Sequence, residues 1–169
     1  MTLRQTTLRS CIVLLLTTTA AAPILAKDHS VSGNGLPPTP TNAIVGTWNS
    51  DISLSPCAGG PVLVSFKALG TYHAGGTLSD TNNTPSALRT AGHGIWQYVG
   101  GGEYKTRFQI FRFLPVTGAY DGYADVHTVT TLVGPNQFTT TVLATNYNPN
   151  GTFRNELCGS GSGSRLSID

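Results

Sequence analysis

Residues 119–151 read AYDGYADVHTVTTLVGPNQFTTTVLATNYNPNG, and the punctuation of this stretch decides the architecture. Two runs dense in Thr, Val and aromatic residues, 119–132 and 137–146, flank Gly134-Pro135-Asn136, and Asn148-Pro149-Asn150-Gly151 closes the second run. β-branched and aromatic side chains favour extended chain. Glycine and asparagine tolerate the positive φ that tight hairpin turns demand. Neither run repeats apolar residues at helical spacing. The segment reads as a β-hairpin with another strand to follow.

The same grammar extends in both directions. Strands are predicted at 44–52, 61–69, 71–79, 92–99, 103–114, 119–132, 137–146 and 152–159, with a further short one at 164–168. Gly100-Gly101-Gly102 supplies another tight turn, and residues 80–91 (DTNNTPSALRTA) form a polar link. About eight strands joined mostly by short turns predict an all-β antiparallel meander. Closing it into an up-and-down barrel removes the exposed edges. A two-sheet sandwich with Greek-key connections fits the same strand count and stays open at this point. A closed barrel of eight strands encloses room for packed side chains or one small ligand.

The chain has 169 residues, enough for one average domain. Charged residues make up 11 %, the reverse of the high-charge, low-hydrophobicity pattern of disordered chains. Residues 1–26 have the layout of a secretory signal peptide: Arg4 and Arg9, then the apolar run 11–16 (CIVLLL), then small residues before Lys27. Cleavage is expected after Ala26, with Ala22 as the alternative. A membrane anchor is the competing reading, but Thr17 to Thr19 and Pro23 interrupt the apolar run before the ~20 residues a span requires. Losing Arg4 and Arg9 leaves eight basic residues against eight acidic, which is no basic footprint for nucleic acid. Residues 27–42 form a flexible Pro- and Gly-rich leader, and 43–169 form the barrel domain. No later segment is apolar enough to span a membrane, so a secreted or periplasmic product is expected.

Cys11 leaves with the signal segment, and the mature chain keeps Cys57 and Cys158. An even pair in an oxidising compartment reads as a disulfide. Closing so long a loop is worth up to ~4.7 kcal/mol in the chain-entropy picture. Two buried free thiols are the alternative. In a barrel the first and last strands are neighbours, which suits the pairing.

Gly46-Thr47-Trp48, near the start of the first strand, resembles the Gly-x-Trp that opens lipocalins and their calycin relatives. The resemblance implies a lipocalin-like barrel in which Trp48 plugs the closed end and a late arginine, Arg165, stacks against it. Cation–π contact favours that pairing. The chain has no counterpart of the lipocalin turn signature after the sixth strand, and the resemblance carries no catalytic residue over.

Chemistry-bearing residues are few. In residues 89–98 (RTAGHGIWQY), His93 lies between two glycines, which leave its imidazole approachable as a base, proton donor or ligand clamp. Alternatively the glycines shape a bulge. Period two on the fifth strand puts Tyr104, Thr106, Phe108, Ile110, Arg112 and Leu114 on one face, expected inside. A buried Arg112 then needs a partner, either a ligand carboxylate or Asp125; a rim arginine is the blander alternative. Asp125 and His127 could form an acid–base pair, but the opposite face is more apolar and turns them to solvent. His73, His93 and His127 lack diagnostic metal-ligand spacing, so no metal or cofactor is expected. No pair of poised carboxylates suits glycoside hydrolysis. Residues 159–163 (GSGSG) lack the strand-to-helix context of a nucleophile elbow and read as a flexible turn.

Two functions follow. The first is a binding module that holds a small apolar or amphipathic molecule, with Phe66, Tyr72, Trp96 and Phe108 as ligand-binding residues. The second is a cyclase or isomerase, in the manner of allene-oxide-cyclase-like barrels. It would act by shape and one proton transfer, with His93, Tyr98 and Arg112 as donor or clamp.

Overall fold

The computed structural model describes residues 40–168, so the proposed signal peptide and residues 27–39 of the leader lie outside it. After a short 3-10 turn at Pro40–Asn42, eight strands follow: β1 Gly46–Pro56, β2 Val64–Tyr72, β3 Thr77–Asn82, β4 Gly92–Gly100, β5 Glu103–Phe113, β6 Tyr120–Gly134, β7 Gln137–Tyr147 and β8 Phe153–Arg165. Each strand pairs antiparallel with the next, and β8 returns to β1, with Trp48 opposite Arg165 and Ser55 opposite Cys158. The result is a closed, up-and-down, eight-stranded barrel. Closure decides against the sandwich.

Several strand bounds shift from the sequence reading, and two of the differences have a clear local cause. A third strand was expected over 71–79, with a break at Gly70. Instead β2 continues through Gly70, which lies opposite Trp48, and the turn falls at residues 73–76. The His73 N–H donates to the Thr77 carbonyl at 2.9 Å, and Gly75 and Gly76 take positive φ (100° and 89°) that other residues resist. The second difference is at 159–163, where a flexible turn was expected between two short strands. One continuous β8 runs through it. Its glycines face inward, and a Cβ would collide with the Ser53 carbonyl at Gly159, with the Asp51 carbonyl and the Ile52 side chain at Gly161, and with the Phe138 ring at Gly163. Ser160, Ser162 and Ser164 are exposed on the other face. The segment is a bare-walled strand.

One end of the barrel is packed shut. Ile44, Trp48, Tyr72, Leu78, Trp96, Tyr104 and Phe138 form a buried cluster there. Trp48 is fully buried; its Nε1 donates to the Ile44 carbonyl at 2.8 Å, and its ring lies 5.0 Å from Phe138. The Arg165 guanidinium sits 4.2 Å above the Trp48 ring and donates to the carbonyls of Val45 and Ala43, both at 2.6 Å. Gly46 has φ +134°, and a Cβ there would stand 2.6 Å from Arg165 Nη1, so glycine is required on both counts. At the opposite end Cys57 and Cys158 are disulfide-bonded across a sequence separation of 101, tying the exit of β1 to β8.

Candidate functional site: the open end of the barrel

Inward-facing side chains leave a cavity of about 300 Å³ that begins above the aromatic plug. Its floor is hydroxylic. Thr106 and Thr128 share a hydrogen bond of 2.7 Å and Thr130 and Thr140 one of 2.9 Å, and the Tyr72 hydroxyl bonds Thr130. Burial outweighs that bond and pushes the Tyr72 phenol up to about 12, so it is a neutral hydrogen-bonding group at working pH. The middle wall is apolar, built from Ile52, Leu54, Phe108, Ile110, Val126 and Leu157. It stays open because Ala68, Ala124 and Ala144 take inward positions that larger side chains would fill.

The mouth is charged on one side. Asp80, at the far end of β3, accepts a hydrogen bond of 2.6 Å from Arg89 Nη2; both side chains are nearly buried and both line the cavity. Burial raises the Asp80 carboxyl and Arg89 pulls it back. Arg89 arrives there because residues 88–90 pair with the end of β5, through bonds of 2.9 Å from Phe113 N–H to the Leu88 carbonyl and 3.0 Å from Thr90 N–H to the Phe111 carbonyl. Arg112, opposite Arg89, also lines the cavity. Its Nη2 donates to the carbonyls of Asp121 (3.1 Å) and Tyr147 (3.0 Å), while its buried Nε has no hydrogen-bond partner among the described residues. Burial and the neighbouring Arg154 lower the Arg112 guanidinium from its ordinary value.

The sequence-derived residues distribute unevenly around this cavity. Phe66, Tyr72, Phe108 and Arg112 line it. Trp96 does not: it belongs to the closed-end plug, its Nε1 donating to the His73 carbonyl at 3.0 Å and its ring 6.0 Å from Tyr104. Tyr98 packs at the same end, 5.2 Å from the Tyr104 ring. His93 points away from the interior and is exposed. The reason is steric. Gly92 and Gly94 take the inward positions so that Phe108 can lie against β4, where a Cβ on Gly92 would sit 2.8 Å from Phe108 Cδ2. Period two then turns the intervening His93 outward. The three residues proposed for proton transfer are therefore not brought together.

Asp125 is not the partner of Arg112. It lies on the outer side of β6 and holds Arg107, with Nη2 to Oδ2 at 2.7 Å; His127 Nε2 stands 3.7 Å from its Oδ1. Among the described residues no group of three or more His, Cys, Asp or Glu converges as a metal site. Sequence reasoning missed Asp80, Arg89 and Asn146 at the mouth. A salt bridge between a strand end and a loop leaves no periodic signal, and Asn146 is legible only once the parity of β7 is known.

No protein-family model and no curated protein sequence matches this chain. Among solved structures the chain is similar to EF1p2_mFAP2b bound to DFHBI, at 14 % identity and a TM-score of 0.44 over 74 % of this chain and 95 % of that one. It is also similar to the S-type phycobiliprotein lyase CPES from Guillardia theta, at 8 % identity and a TM-score of 0.39 over 76 % of this chain and 91 % of that one. The closed antiparallel barrel of eight strands has the up-and-down, lipocalin-like architecture expected from the sequence.

Proposed function

We propose that the chain is an exported, lipocalin-type binding protein, secreted or periplasmic, that holds one small amphipathic molecule in its barrel. The observation that carries this reading is the cavity itself: about 300 Å³, apolar in its walls and polar at both ends. That volume lies at the lower edge of small-molecule sites. The floor hydroxyls are already hydrogen-bonded among themselves, and an apolar chain entering the open cavity takes its apolar wall out of water, which is favourable.

Export is supported by the basic-then-apolar N-terminal sequence and by the disulfide, which persists in oxidising compartments. Among the described residues no helix is long and apolar enough to cross a membrane. The cyclase reading keeps only Arg112 of its three residues at the cavity. The test is calorimetric titration of the protein with decanoate, naphthoate and geraniol. Saturable binding of at least one, with a matching rise in Tm, is the expected result. Absence of saturable binding across the panel overturns the reading.

A further inference from the structure

We propose that Arg112 anchors the anionic head of the bound molecule, which makes the ligand class a monocarboxylate with an apolar tail that enters tail-first. The inference deepens the binding reading above and rests on it. Two observations carry it. The Arg112 side chain lines the cavity, and its buried Nε has no hydrogen-bond partner among the described residues. An under-satisfied guanidinium is unfavourable, and a ligand acceptor against the cavity-lining part of the side chain offsets that.

The second observation is the charge arrangement at the mouth. Asp80 is committed to Arg89 at 2.6 Å. Asp121 is held by Arg154 through two bonds, 2.8 Å from Nη1 to Oδ2 and 2.9 Å from Nη2 to Oδ1, and its nearest oxygen is 4.0 Å from Arg112 Nη2. Asp125 faces the other side of the sheet and holds Arg107. Among the described residues Arg112 is thus left with backbone carbonyls as its close partners. Those fix the guanidinium without neutralising it, so its position is set before a ligand arrives. Below it run Ile110, Phe108 and Val126, an apolar wall for the tail. A single carboxylate against this cavity-lining side chain supplies the missing charge.

Decanoate and decanol share a chain and differ at the head, so their comparison reads the anchor directly. Calorimetry at neutral pH is expected to show decanoate bound at least about tenfold more tightly than decanol, the worth of one charge-assisted bond. In Arg112→Gln that preference is expected to vanish while decanol binding persists, and Arg112→Lys is expected to recover part of it. The acid-to-alcohol ratio in the unsubstituted protein decides the matter even if Arg112→Gln does not fold. Equal affinity for both compounds, or an acid preference that survives Arg112→Gln, overturns the anchor and leaves the cavity reading standing. Failure of both compounds and of the wider panel overturns the cavity reading itself.

Discussion

Trp48 shows how much one position settles. Its burial, its bond to the Ile44 carbonyl and the overlying Arg165 bring both ends of the domain to the same closed base. Trp48→Ala is expected to destabilise the protein by about 3–5 kcal/mol in a urea titration, as for other large-to-small changes at buried aromatics. Loss of less than ~1 kcal/mol would count against the plug. Asp125 offers a test by pH. The bond from Arg107 holds its carboxyl below the usual aspartate range. A depressed native pKa contributes stability that is fully present above the unfolded value near 4 and is lost as pH falls through the native value. Thermal unfolding followed from neutral to about pH 3 should therefore show a steeper acid decline in the native chain than in Asp125→Asn. Parallel profiles would remove the assignment. Trp48 and Arg165 were readable in advance because a short motif and a late basic residue named them. Arg89 was not, because nothing local distinguishes it from any other loop arginine.

At the scale of elements, period two did most of the sorting. It placed Phe108 and Arg112 inside β5 from sequence alone, because one face is continuously apolar near its start. It misled on β4, where the inward positions at Gly92 and Gly94 carry no side chain and His93 looked like the residue of interest. Glycine also concealed β8: a GSGSG segment has no hydrophobic alternation, so its strand character comes from its neighbours. Gly161→Val is expected to destabilise the barrel by about 1–3 kcal/mol or more through overpacking against β1, whereas Ser162→Val on the exposed face should stay within about 0.5 kcal/mol. Melting both variants side by side checks the parity of the strand. Equal effects would contradict it.

Across the whole molecule, closure links strand count, disulfide and cavity. About eight alternating strands and one cysteine pair spanning the domain were legible, because both are properties of the chain's overall order. The composition of the mouth was not, since Asp80, Arg89 and Arg112 meet only after β3, the loop at 83–91 and β5 are in register. The Cys57→Ser, Cys158→Ser double variant should lose about 2–5 kcal/mol, seen as a lower Tm than the oxidised protein. An unchanged Tm would mean that the barrel's hydrogen bonds alone hold the seam between β1 and β8. The most direct test of an occupied interior is an intermolecular nuclear Overhauser measurement with decanoate. Bound chain protons should contact the inward methyls of Ile52, Leu54, Val126 and Leu157 and not the outward Ile95 and Val133. Contacts confined to outward side chains would contradict the account.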